Sequence, residues 1–154
     1  MVKISGVHKL PVGQAELWRL LNDPEVLAAA IPGCNEVRPD GEDRYRMGLK
    51  VQVANVSGEY LGHVRIEDKR EPEHYVLVVE GQGSIGFMKG TAAFDLEPGG
   101  ADQTLLRYDG SAEVGGLVAG VGQRVLSGVA KFMAGRFFKG LEKQIKERHA
   151  AASA

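Results

Sequence analysis

The chain has 154 residues, of which 44% are hydrophobic and 25% charged, with a net charge of −1. That composition describes a soluble globular protein with material for one well-buried core, and it excludes a largely disordered chain. No apolar run approaches the ~20 residues of a membrane-spanning helix and the N-terminus lacks a signal-peptide core, so the expected location is cytoplasmic. Cys34 is the only cysteine, which excludes an internal disulfide and a thiolate metal cluster. A single domain over residues 1–149 is expected, followed by a disordered tail at 150–154. Charge is uneven: residues 117–154 carry seven Lys or Arg against two Glu, a balance of +5 that leaves −6 for the first 116 residues.

Residues 3–10 alternate, with Ile4, Gly6, His8 and Leu10 on one side, which predicts a strand. Residues 14–21 switch to helical spacing and gather Leu17, Trp18 and Leu21 on one face. A second short helix starts at Asp23-Pro24, where Asp23 caps the first turn and Pro24 needs no N–H. It stops by Pro32, which pushes Ile31 out of the helical region. From Arg44 the period returns to two for some seventy residues. Turn signals punctuate it at Pro39-Asp40-Gly41, Asn55, Glu71-Pro72, Ser84-Ile85-Gly86 and Pro98-Gly99-Gly100, predicting a run of antiparallel strands. Glycines recur among large residues on what should be the inner face, as at Gly58, Gly62, Gly81, Gly90 and Gly110. A strongly curved sheet with a partly unfilled concave side accounts for them.

After Gly115-Gly116 the pattern is helical to about His149. Val121, Val125, Val129, Met133, Phe137, Leu141 and Ile145 recur every four residues, with Phe132 and Phe138 widening the stripe. Gly122, Gly128, Gly135 and Gly140 interrupt that helix at roughly 1 kcal/mol each relative to alanine. Either the backbone approaches a neighbour closely there, or the glycines leave room for a ligand.

Motifs for chemistry are few. Gly81-Gln82-Gly83-Ser84-Ile85-Gly86 matches G-x-G-x-x-G, but Phe87 to Leu96 reads as a strand and not as the helix a dinucleotide site needs, so a glycine-rich hairpin is expected. His8, His63, His74 and His149 show no metal-ligand spacing, and a metal is not expected. A basic surface interleaved with aromatics is missing, so nucleic acid is not expected as a partner. Inward positions offer a few polar tips, His8, Tyr60, Tyr75 and Tyr108, in an otherwise apolar hollow. Leu10, Met47, Met88, Phe132 and Phe137 complete the expected lining. Lys139, Lys143 and Lys146 on the cationic last helix form a candidate surface for anionic lipid or an acidic partner.

The order of elements, together with Leu21-Asn22-Asp23-Pro24-Glu25-Val26-Leu27, Ile31-Pro32-Gly33-Cys34, Gly58-Glu59-Tyr60-Leu61-Gly62, Gly86-Phe87 with Gly90, and Val114-Gly115-Gly116 before Val121-Gly122-Gln123-Arg124, resembles the CoxG family of carbon monoxide dehydrogenase proteins. That family lies within the START and polyketide-cyclase-like (SRPBCC) superfamily. The resemblance implies an α+β helix-grip fold: a curved antiparallel sheet of about seven strands wrapped around a long C-terminal helix, with two short helices after the first strand. It implies an apolar cavity between sheet and helix, with a hydrophobic small molecule as ligand, an isoprenoid quinone or another lipid. It also implies association with molybdenum hydroxylase or carbon monoxide dehydrogenase subunits. Members of the family often continue into a flexible tail and a membrane-anchoring segment, whereas this sequence ends at Ala154, so any membrane contact is expected to be peripheral. Non-catalytic ligand binding is the leading expectation. A ligand-independent assembly or recruitment factor, and a small cyclase or hydratase with His8 as general base, are the alternatives.

Overall fold

The computed structural model describes the fold of residues 1–52 and 57–153, and side chains as far as His149. The Asn55 turn signal and its neighbours 53, 54 and 56 lie outside the described residues. Seven strands form one sheet in the order β1-β7-β6-β5-β4-β3-β2, all neighbours antiparallel. They are β1 (Val2–Leu10), β2 (Cys34–Pro39), β3 (Arg44–Val51), β4 (Gly58–Arg70), β5 (His74–Gly83), β6 (Gly86–Pro98) and β7 (Thr104–Gly115). The short helices α1 (Gln14–Leu21) and α2 (Pro24–Ala30) carry the chain from one edge strand, β1, to the other, β2. The long helix α3 (Gln123–Ser153) then packs on β1 and on α2, spanning the concave side.

Local chemistry sets the short helices. The Asp23 carboxylate accepts a hydrogen bond from the Glu25 N–H at 2.9 Å, Pro24 occupies the first turn, and Ile31 turns to extended backbone before Pro32. α1 buries Leu17, Trp18, Leu20 and Leu21. Strand β2 escapes the alternation test because it is an edge strand exposing Asn35, Glu36 and Arg38.

The helical run after Gly116 is in two pieces. Leu117–Val121 form a 3-10 turn, Gly122 adopts a φ of +94°, and α3 starts one residue later, so Val121 is not on the long helix. Steps of four residues advance ~40° past a full turn, so the stripe read backwards from Leu141 has rotated by about 160° at Val125. Val125 is accordingly 41% exposed. The inner face is instead Leu126, Val129, Ala130, Met133, Ala134, Phe137, Phe138, Leu141 and Ile145, spaced by three and four. At its far end α3 continues through Ala150-Ala151-Ala152 to Ser153, beyond the expected boundary at 149, where alanine is the best helix former.

The core is concentrated at one end. Leu10, Val12, Leu17, Trp18, Leu21, Val26, Leu96, Leu106, Phe138, Leu141 and Ile145 form one buried cluster joining α1, α2, the C-terminal half of α3 and the ends of the strands they cover. Thr104, fully buried, donates its hydroxyl to the Val12 carbonyl at 2.7 Å, holding the turn after β1 against β7.

The helix glycines divide into two kinds. A Cβ on Gly140 would lie 2.9 Å from the Ala30 carbonyl oxygen and 3.0 Å from its Cα, so glycine lets α2 and α3 touch backbone to backbone. Gly128 and Gly135 have nothing within 4 Å of such a Cβ, and they lie on the side of α3 turned away from the sheet. They leave no room for a ligand beneath the helix. Gly128→Ala and Gly135→Ala are each expected to raise stability by about 0.5–1 kcal/mol, while Gly140→Ala should lower it because the obstructing atoms are backbone. Urea melts of the three variants check this, and a stabilised Gly140→Ala would contradict the close approach.

Candidate functional site: a two-lobed apolar cavity

Between the concave face and α3 lies a hollow of two lobes. The first, about 370 Å3, is walled by Tyr45, Tyr75, Phe94, Tyr108, Phe137 and Phe138, with Leu77, Ala92 and Ala134 among the rest of its lining. The second, about 310 Å3, is mostly aliphatic, with Leu49, Val51, Val114, Val118, Leu126 and Val129 beside Tyr60, Phe87 and Met88. Met47, Val79, Ala130 and Met133 border both.

Strand register builds the aromatic lobe. Tyr75 on β5 stands opposite Phe94 on β6, which stands opposite Tyr108 on β7, which stands opposite Gly6 on β1. Tyr75 and Phe94 stack at 5.1 Å, and Tyr108 stacks on Phe138 of α3 at 5.2 Å. The Tyr108 ring leans across β1 and leaves no place for a side chain at position 6, where a Cβ would fall 2.9 Å from its hydroxyl. Behind this wall Trp18 meets Tyr75 edge-on at 5.2 Å.

The sheet glycines are seats and not gaps. Met47 lies over Gly62, its cross-strand partner, with Cγ 3.0 Å from where a Cβ would be, and Met88 lies over Gly81 at 3.3 Å. Tyr60 covers Gly83 at 2.7 Å, and the Phe87 ring covers Gly115. The expectation that glycine marks space kept open for another group is thus corrected: neighbouring side chains lie flat on it, and the hollow above exists because they do not stand upright. The G-x-G-x-x-G segment is the β5–β6 hairpin, with Gly83 paired to Gly86 and Gly81 bordering the second lobe.

Six of the nine expected lining residues border the hollow: Met47, Tyr60, Tyr75, Met88, Tyr108 and Phe137. Three do not. Leu10 is 2% exposed and belongs to the dense core beneath α1. Phe132 is 49% exposed on the outer side of α3, with the Arg136 guanidinium 5.7 Å above its ring. His8 faces inward on β1, but Phe138 stacks on it at 4.0 Å and takes the cavity position. Burial lowers the His8 pKa, partly offset by the Glu142 charge, which favours a neutral imidazole. Burial also raises the Tyr60 and Tyr75 phenols, which stay protonated as hydrogen-bond donors. Tyr60 and Phe137 line different lobes and not opposite walls of one.

Sequence reasoning missed Phe94, Met133 and Phe138 as lining residues. The register Tyr75–Phe94–Tyr108 held the signal for Phe94, and Phe138, three residues before Leu141, shared the buried face of α3. Lys139, Lys143 and Lys146 are all exposed, but Lys143 approaches Glu147 at 3.9 Å and Lys146 approaches Glu142 at 3.2 Å. Among the described residues no group of three or more His, Cys, Asp or Glu is placed to hold a metal ion, and no helix is long and apolar enough to cross a membrane.

A sheet gripping one long helix over an apolar hollow defines a START-like helix-grip domain. The solved START superfamily protein from Mycobacterium smegmatis shares the fold at TM-score 0.73 and 17% identity, covering 94% of this chain and 97% of that one. The Zhui aromatase/cyclase from Streptomyces sp. R1128 shares it at TM-score 0.67 and 17% identity, covering 97% and 96%. Within that class, this chain belongs to the CoxG family of carbon monoxide dehydrogenase proteins, whose model matches residues 6–146. A conserved protein from Geobacillus kaustophilus is similar over 95% of this chain and 96% of its own, at TM-score 0.91 and 39% identity. No curated protein matches the sequence.

Proposed function

We propose that the protein holds a hydrophobic small molecule, an isoprenoid quinone or another lipid, in the two-lobed cavity, without catalysis, in the service of a molybdenum carbon monoxide dehydrogenase-type redox enzyme. The observation that carries this reading is the hollow itself: an aromatic lobe suited to a planar ring, continuous in lining with an aliphatic lobe suited to a chain. Apolar burial supplies the affinity, at about 25 cal/mol per Å2 before ordering costs, and the few tyrosine hydroxyls give loose orientation. A cyclase or hydratase needs a base aimed at its substrate, and His8 is covered by Phe138. A ligand-independent assembly factor has no use for the cavity. The partner enzyme follows from family membership.

Trp18, the single tryptophan, touches the cavity wall through Tyr75 and serves as a reporter. Titration with 2-methyl-1,4-naphthoquinone should quench its fluorescence saturably at one molecule per chain. Quenching that grows linearly without saturation would contradict binding in the hollow.

Peripheral contact with anionic lipid belongs to the same reading. With two of the three lysines within ion-pair range of glutamates, the attraction should be modest, visible at low salt and lost once the screening length falls well below ~10 Å. Co-sedimentation with anionic vesicles measures it, and the Lys139→Glu, Lys143→Glu, Lys146→Glu triple variant should not sediment at any salt. Wild type that ignores such vesicles at low ionic strength would remove the lysines from any membrane role.

A further inference from the structure

We infer that the neck between the two lobes is the element that selects the ligand by length, and that the occupant is a ring-and-chain molecule threaded through it. This rests on the proposed ligand-binding reading and names what that site discriminates. Four side chains border both lobes: Met47 from β3, Val79 from the central strand β5, and Ala130 with Met133 from α3 above. Two of them are methionines, unbranched and adaptable, which can move aside for a chain at little cost. Met47 is free to do so because its cross-strand partner is Gly62, on which it lies. Ala130 is the smallest of the four and sets the headroom.

The chemical contrast on the two sides gives the direction of threading. Six aromatic side chains wall the first lobe, whereas the second is mainly Leu and Val with Met88. A planar ring gains most from stacking in the first, and a saturated or isoprenoid chain gains most in the second. A ligand confined to one lobe leaves the other unfilled, so affinity must rise when a chain becomes long enough to pass Met47 and Met133.

The test uses a series of 2-methyl-1,4-naphthoquinones bearing no chain or one to four prenyl units, read by Trp18 quenching and native mass spectrometry. With wild type, the dissociation constant is expected to fall by about tenfold or more per unit until the second lobe is full. Ala130→Phe should close the neck, leaving the chainless compound bound as in wild type while the gain from longer chains disappears. Ala130→Leu, a smaller plug, should reduce the gain and serves if the phenylalanine variant misfolds. Affinity independent of chain length in wild type, or a full gain retained in folded Ala130→Phe, overturns the neck while leaving the cavity a binding site. If no member of the series binds wild type, the ligand-binding reading fails and the neck with it.

Discussion

Leu141→Ala is expected to destabilise the protein by about 3 kcal/mol or more, whereas Met133→Ala, two helical turns earlier on the same inner face, should cost about 1 kcal/mol or less. Leu141 is fully buried in the dense cluster with α1 and α2, so truncation there opens a void that rigid neighbours cannot close. Met133 already borders empty space on two sides, and removing its thioether forfeits few contacts. For a chain of this size the first change corresponds to a melting-point drop of about 6–12 °C and the second to no more than about 4 °C. Equal losses at the two positions would mean that α3 is packed uniformly along its length and that the hollow closes in solution.

Ala134→Trp should abolish ligand uptake and leave the protein folded. Ala134 lies on the inner face of α3 and lines the aromatic lobe between the levels of Met133 and Phe137. An indole there enters space that the native side chains leave empty, so the overpacking cost of ~1–3 kcal/mol seen in filled cores should be largely avoided. The loss of naphthoquinone affinity is expected to exceed about a hundredfold, because roughly a ring's worth of apolar burial is displaced. A thermal melt at or above that of wild type, together with absent binding of the quinone, is the expected pair of results. Because a second indole complicates the fluorescence, binding to this variant is best read by equilibrium dialysis. A folded variant that still binds as wild type would move the ligand out of the aromatic lobe.

The fold was legible wherever one local rule settled the structure. The Asn-Asp-Pro-Glu helix start, the Ile-Pro-Gly stop and the two-residue alternation from Arg44 each have a single physical solution, and the elements stand where those signals stand. Strand β2 was hidden because an edge strand with three exposed polar residues has no alternating apolar pattern to read. The start of α3 was blurred because a 3-10 turn and an α-helix share apolar spacing over a few residues, and only the positive φ at Gly122 separates them.

The site was legible in part for a related reason. Inward-facing positions of a strand follow from alternation, so Met47, Tyr60, Tyr75, Met88 and Tyr108 could be identified. Whether an inward residue meets a cavity or the solid core depends on what the helices cover, and that sent Leu10 and His8 to the wrong side of the boundary. Phe132 was misplaced by treating the α3 stripe as wide, when a helix lying on a sheet offers it one face and turns the opposite one to solvent. The glycines were the least legible of all, since close approach at Gly140, ring seats at Gly6 and Gly83, and outward positions at Gly128 and Gly135 are the same letter in sequence.

The central claim is that the hollow is a ligand site, and native mass spectrometry of protein purified under mild conditions tests it most directly. The expected spectrum shows the chain carrying one apolar molecule that an organic solvent releases, or taking up one prenylated naphthoquinone when it is added. A spectrum showing only the bare chain mass, before and after addition of the whole naphthoquinone series, would contradict it.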